Sequence, residues 1–204
     1  LWVRPTVQAR PYMTGGTGTR SDEPVHPTSM PDALEAGTSN TPGIVTLSEG
    51  VRFVRETGVP AVIRKGARLL RRTLDGLAAM ERIELLTPPD PNGGDPVPGD
   101  AEASDADGEE AEASAPARVP VVLFNIGRED PAEVAYLYDQ LHAVSVRAGV
   151  HCAPWAHRWI GTLEREPQGA VRASLGFFNT EDEVDRFLEA TKDLVRRLDP
   201  EPSR

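Results

Sequence analysis

The stretch PPDPNGGDPVPGDAEASDADGEEAEASAPA, residues 88–117, limits what the rest of the chain can be. It holds nine acidic residues and no basic one, and Val97 is its only large aliphatic side chain. Such a segment cannot bury enough apolar surface to offset the entropy of ordering it, so a disordered acidic insertion is expected over 88–118. A solvated linker is its simplest role, and a docking tail for a basic partner is the alternative. The formal net charge is −10. Because nine of those charges sit in the insertion, the remainder is nearly balanced, with no basic stripe that would track nucleic acid.

Any core must come from the flanks. Before the insertion, Ile44, Leu47, Val51 and Val54 recur at helical spacing, and Gly58 followed by Pro60 closes that helix and opens another. In the second helix Ile63, Ala67, Leu70, Leu74 and Leu77 form one apolar stripe, with Arg64, Lys65, Arg68, Arg71 and Arg72 largely outside it. IELL (83–86) reads as a strand. After the insertion, VPVVLFNI (119–126) is a second strand, and Asp130-Pro131-Ala132-Glu133 has the form of a capping box, opening a helix faced by Val134, Leu137 and Leu141. AVSVR (143–147) and VRASLGFF (171–178) read as further strands. Thr180 with Glu183 caps a last helix carrying Val184, Phe187, Leu188, Leu194, Val195 and Leu198. The order predicts an α+β layer, a small sheet covered by helices.

The first forty residues do not fit that layer. MTGGTGTRSDEP and EAGTSNTPG are rich in glycine, threonine and proline, which favour turns with exposed N–H groups and hydroxyls. Such loops can cradle a phosphate, although most are only turns. The opening LWVRPTVQARPY has neither the basic start nor the apolar run of a signal peptide, and no methionine precedes Leu1, so a fragment of a longer protein is expected. No apolar stretch approaches the ~18 residues needed to span a bilayer. The single cysteine cannot form an internal disulfide, which fits a reducing compartment. The expectation is a soluble, cytoplasmic protein.

That cysteine, Cys152, lies in RAGVHCAPWAH, beside His151 and five residues after Arg147. Its thiolate would be the nucleophile, and a neighbouring arginine or imidazolium favours that form. Two other readings compete: a buried inert thiol, and a zinc site with His151 and His157, which lacks an evident fourth ligand. Arg172 is the second unusual residue. Alternation along the strand puts Val171, Ala173, Leu175 and Phe177 on one face and Arg172, Ser174, Gly176 and Phe178 on the other. A guanidinium in so apolar a strand needs a partner, either an internal acid or a carboxylate ligand held by two hydrogen bonds. Asn179 reads as a turn or helix-start residue.

Four motifs in this order, GGTGTRS (15–21), LEAGTSNTPGI (34–44), RAGVHCAP (147–154) and VRASLGFFNTEDEVDRFL (171–188), resemble the C-terminal half of the cysteine desulfurases among the class V aminotransferases. The resemblance covers nearly the whole chain outside the insertion. It implies a pyridoxal-phosphate enzyme of fold type I, acting as a homodimer with active sites at the subunit interface, which takes sulfur from L-cysteine, releases L-alanine and passes the sulfur to an acceptor protein. By motif match, Cys152 resembles the cysteine that carries the persulfide, with His151 and Arg147 supporting it. Arg172 resembles the arginine that binds the substrate carboxylate. Thr38 resembles the threonine that reaches the cofactor phosphate of the neighbouring subunit, and Gly15 and Gly16 fall in the loop that approaches the same phosphate. On this reading residues 1–44 end the large cofactor-binding domain, 45–87 begin the small domain and 119–204 complete it.

The resemblance also places the family's Schiff-base lysine in a segment before Leu1. Only Lys65 and Lys192 are present, and neither matches that lysine's motif. Two alternatives therefore stand beside the desulfurase: a related aminotransferase or carbon–sulfur lyase in which Cys152 is incidental, and a non-catalytic fragment acting as a binding or dimerisation module.

Overall fold

The computed structural model describes residues 3–4, 6–16, 18, 22–87 and 119–198; the expected disordered insertion, 88–118, lies outside them. Two units are distinguished, Leu1–Thr57 and Gly58–Arg204, so the division falls after the first long helix, whereas the sequence groups residues 45–57 with the small domain.

In the first unit a 3₁₀ turn, Asp32–Leu34, precedes α1, Thr41–Thr57. Asn40 starts α1 by accepting the Gly43 N–H on its side-chain oxygen at 3.1 Å. The expected apolar face of α1 exists as a stripe, but Ile44, Leu47, Val51 and Val54 are all exposed, and the helix buries no residue.

The second unit opens at Gly58, whose φ of +80° suits a residue without Cβ. Pro60 then sits in the first turn of α2, Val59–Ala78. The buried face of α2 is Gly66, Leu69, Leu70, Thr73 and Leu77. This is rotated from the expected stripe, since Ile63 is exposed and Leu69 takes its place in the core. Gly66 and Gly76 account for the rotation. A Cβ at Gly66 would lie 3.3 Å from Pro120, and one at Gly76 would lie 2.4 Å from Leu188, so the glycines let neighbours approach on a face the apolar pattern undercounts.

Four antiparallel strands, β1 Ile83–Leu85, β2 Val121–Ile126, β3 Arg147–Gly149 and β4 Ala170–Ser174, form one sheet in the order β1-β2-β4-β3. Alternation turns Val122, Phe124, Ile126, Val171 and Ala173 into the core, where they meet Leu69, Leu70 and Leu77 of α2, Val134 and Tyr138 of α3 (Pro131–His142), and Val184, Phe187 and Leu194 of α5 (Glu181–Arg197). Phe124 meets Tyr138 and Phe187 edge-on at 6.5 and 6.0 Å. The buried Tyr138 hydroxyl is paired with Thr191 at 2.6 Å, and burial pushes its pKa well above the usual phenol value.

Local chemistry sets the element ends. Asp130 caps α3 by accepting the Ala132 N–H at 2.7 Å; the reciprocal Glu133 half of the expected box is not formed among the described residues. Leu141 is exposed, and Tyr138 carries the buried face instead. The strand expected at 143–147 begins only at Arg147, because Ala143 adopts a left-handed conformation and residues 143–144 close the helix by donating to Asp139 and Tyr138 carbonyls. The strand expected at 171–178 ends at Ser174: Leu175 N–H turns to the Pro120 carbonyl, and Asn179 accepts the Gly176 N–H at 2.7 Å. Thr180 and Glu183 form the full capping box of α5. The bonds from Thr180 N–H and the Asn179 amide hold the Glu183 carboxyl below its usual pKa. A short helix the sequence did not announce, α4 (Pro154–Trp159), lies between β3 and β4.

Candidate functional site

The helices cover one face of the sheet, and the chemistry gathers on the other. In the antiparallel register Leu123, Arg172 and Arg147 stand opposite one another across β2, β4 and β3. Directly opposed residues project to the same side, so two guanidinium groups share one patch. Among the described residues neither has an acid partner. Arg172 is half-buried, and its Nε is shielded from water without a hydrogen-bond partner. The internal salt bridge that the sequence left open for Arg172 is therefore not formed among the described residues.

The segment from Val150 to Gly169 folds back over this same face. Arg165 grips both oxygens of Glu84 on β1 at 2.8 and 2.6 Å, and buried Asn125 donates to the Gly169 carbonyl at 3.2 Å. Gly169, at φ +93°, permits the return: a Cβ there would lie 2.6 Å from the Gly149 backbone. At its other end this strap carries His151 and Cys152, two consecutive non-glycine residues with positive φ, +58° and +57°. Such backbone costs roughly 1–2 kcal/mol per residue and has to be held by its surroundings.

Cys152 is exposed, which removes the reading of a buried inert thiol, and Arg147 Nη2 donates to its Sγ at 3.2 Å. Arg147 thus links the two candidate residues, bonded to Cys152 and in register with Arg172. His151 does not bond to the sulfur; its Nε2 faces the Arg147 carbonyl at 3.3 Å and its Nδ1 faces His157 Nε2 at 3.0 Å. Burial lowers the His151 pKa; the bond to the Arg147 carbonyl opposes this, but the nearby His157, Arg172 and Arg147 add to the lowering, so its neutral form is favoured beside the thiol. His157 is fully buried, paired through Nδ1 with Thr162 Oγ1 at 2.7 Å, and burial lowers its pKa as well. Among the described residues no group of three His, Cys, Asp or Glu is arranged to hold a metal ion.

The sequence considered His157 only as a zinc ligand and missed Thr162. The signal available was the pair of histidines six apart in HCAPWAH, but their contact depends on a left-handed turn that spacing does not encode.

Gly15, Gly16 and Thr38 lie in the first unit, all exposed. Gly37 N–H donates to the Gly16 carbonyl at 2.6 Å, which sets Thr38 beside the glycine pair. His26 braces the same loop, with Nδ1 against the Gly15 carbonyl at 3.1 Å and Nε2 against the Ala33 carbonyl at 3.1 Å. A Cβ at Gly16 would meet nothing within 4 Å, so open space lies over the loop. An exposed hydroxyl beside glycine backbone is a donor set that suits a phosphate edge. Neither lysine is placed as a free amine: Lys65 lies over the Phe177 ring at 4.9 Å, and Lys192 pairs with Glu189 at 2.6 Å.

A family model described as Aminotransferase class-V matches residues 1–95 and 104–187. A probable cysteine desulfurase of Pyrococcus abyssi is 28% identical over 172 residues, covering 84% of this chain and 35% of that protein. A cysteine desulfurase of Escherichia coli is 28% identical over 171 residues, covering 84% and 34%. The chain spans about a third of the length of these relatives. The apo structure of a cysteine desulfurase from Thermococcus onnurineus matches with a TM-score of 0.60 at 28% identity, over 82% of this chain and 34% of that one. A solved structure described as a NifS-like protein matches with a TM-score of 0.65 over 97% of this chain and 42% of that one; at 21% identity it speaks for the fold alone. The α+β unit is thus part of a fold shared with cysteine desulfurases, and no helix of the described residues is long and apolar enough to cross a membrane. With the family model matching most of its length, the chain belongs to the class-V aminotransferase family.

Proposed function

We propose that this chain is the C-terminal portion of a cysteine desulfurase that converts L-cysteine to L-alanine and carries the sulfur as a persulfide on Cys152. The observation that carries the reading is the pair Arg147 and Arg172. They stand in register on one sheet face without acid partners among the described residues; one has an orphaned Nε, and the other bonds to the chain's only thiol.

Arg172 binds the substrate carboxylate, which supplies the missing acceptors and separates the two positive charges. That anchor orients the substrate's sulfur with respect to Cys152. Arg147 holds the sulfur in place by donating to Sγ, and the exposed turn at 151–152 presents it outward. The thiolate attacks the substrate sulfur: an S–S bond forms, the substrate C–S bond breaks, and its electron pair remains with the substrate carbon, which takes up a proton to become alanine. Pyridoxal phosphate, when bound, supplies the electron sink that makes this cleavage possible. Thr38, Gly15 and Gly16 would hold its phosphate, with Thr38 serving the neighbouring subunit of a homodimer. The Schiff-base lysine belongs to another part of the full-length protein. A cytoplasmic enzyme that hands its persulfide to an acceptor protein completes the proposal.

Mass spectrometry of Cys152 in the full-length protein after incubation with L-cysteine tests it. One additional sulfur on Cys152 is expected, together with alanine, and Cys152→Ser abolishes sulfide release while substrate binding persists, because a hydroxyl is a far poorer nucleophile. Alanine accumulating with no sulfur on Cys152 would replace the desulfurase with a carbon–sulfur lyase.

A further inference from the structure

His157 takes no part in the reaction above, yet it is the largest polar group buried in the strap and holds hydrogen bonds at both ring nitrogens. We propose that His157, fixed by Thr162, is a positioning residue for the persulfide thiol: through His151 it holds the turn that keeps Cys152 on Arg147.

The proton of every bond follows from one acceptor. The Arg147 carbonyl can only accept, so His151 Nε2, 3.3 Å away, carries hydrogen. A neutral His151 then accepts at Nδ1, and the group facing it is His157 Nε2 at 3.0 Å, which therefore carries hydrogen. A neutral His157 accepts at Nδ1, and Thr162 Oγ1 at 2.7 Å is left to donate. The alternative for that hydroxyl, the His157 carbonyl at 3.4 Å, is longer, and this carbonyl already accepts the Thr162 N–H at 2.8 Å. The chain runs in one direction, Thr162 to His157 to His151 to the Arg147 backbone.

Its consequence is mechanical. His151 and Cys152 both hold left-handed backbone, and the bond from His151 to the carbonyl of Arg147 closes the turn onto the residue whose guanidinium meets the sulfur. Without His157 the ring of His151 loses its buried anchor, the strained turn relaxes and the Arg147 contact to Sγ is lost. The sequence has no other thiol, so Cys152 reports directly on this arrangement.

Only the persulfide readout below rests on the desulfurase reading. In the full chain labelled with ¹⁵N-histidine, long-range ¹H–¹⁵N spectra at neutral pH should show His151 and His157 both as neutral Nε2–H tautomers, with His157 losing that fixed state in Thr162→Val. A charged His157, or one protonated at Nδ1 alone, overturns the proposal. Alkylation of Cys152 by iodoacetamide should slow about tenfold in His157→Phe, the effect of one lost hydrogen bond to a charged group, and recover in His157→Gln, whose amide nitrogen reaches the Nε2 position. Circular dichroism checks that each variant folds; if His157→Phe does not, Thr162→Val carries the same test. An unchanged or faster alkylation in a folded variant overturns the proposal. In the full-length protein, persulfide on native Cys152 but little in His157→Phe supports it, and equal persulfide in both defeats it. Absence of persulfide from the native protein itself defeats the desulfurase reading and leaves the tautomer and alkylation results to decide the positioning role.

Discussion

Replacing Arg172 by methionine should stabilise the isolated chain while disabling its site. An unsatisfied buried donor costs about 1–3 kcal/mol, and Arg172 Nε is one. A like charge directly opposite on a neighbouring strand adds up to about 1 kcal/mol, and Arg147 stands in that register. Methionine keeps the apolar stem against Leu123, so little packing is lost. The net expectation is a gain of roughly 1–3 kcal/mol, which for a chain of this size raises the melting temperature by about 2–12 °C. Urea unfolding of both proteins at one pH measures it, with the midpoint rising at unchanged slope. Arg82→Met is the control: Arg82 pairs with Glu129 at 3.0 Å in a partly buried site, so that change should lose stability. In the full-length protein Arg172→Met should also raise the KM for L-cysteine, as a lost carboxylate contact requires. If Arg172→Met instead destabilises by ~1 kcal/mol or more, Arg172 serves the fold rather than a ligand.

Gly76→Ala should destabilise by about 1–2 kcal/mol in urea melts although alanine favours helix, because the new Cβ meets buried Leu188 at 2.4 Å and overpacking outweighs the propensity gain. Deleting residues 91–117 should leave the melting temperature nearly unchanged, since so polar a stretch contributes little burial and loop-length effects grow slowly; a large drop would mean that it packs. Stability should fall as pH drops below about 6.5, where unfolded histidines take up protons that folded His151 and His157, with their lowered pKa values, resist. Urea midpoints at mildly acidic and neutral pH read this slope, and His157→Phe should flatten it.

What the sequence made legible divides along physical lines. Helices marked by paired local signals were found with their starts: Gly58 and Pro60 for α2, Asp130 and Pro131 for α3, Thr180 and Glu183 for α5. Strand ends were misplaced because they are set by bonds to distant carbonyls. β4 stops where Leu175 finds the carbonyl of Pro120, a contact invisible in VRASLGFF itself. The apolar stripe of α2 was misjudged because Gly66 and Gly76 contribute to its packed face by being small, which a count of apolar side chains cannot register. α4 escaped notice because Trp155 and Trp159 point to solvent and its one buried side chain is a histidine. In the site, Cys152, Arg147 and Arg172 stood out as residue types out of place in their surroundings. Thr162 did not, since its role exists only once the strap has folded.

The sheet explains why the unusual residues collect where they do. Its helix-covered face is filled by aliphatic and aromatic side chains whose burial supplies the driving force for folding, and a charge there would meet a full desolvation penalty. On the opposite face, under the strap, Arg147 is exposed and Arg172 half-buried, so both keep contact with water while their backbone is fixed by strand pairing. A rigid strand row places two cations side by side, and a strained turn brings one thiol to them. Neither feature favours folding, and both are tolerated because the core on the far side of the same strands is closely packed. An anion entering between the guanidinium groups would relieve their repulsion and fill the Arg172 vacancy together. On the proposed function, the stability forgone at this arginine pair would return as affinity for a carboxylate, which an equal number of arginines already paired with acids could not provide.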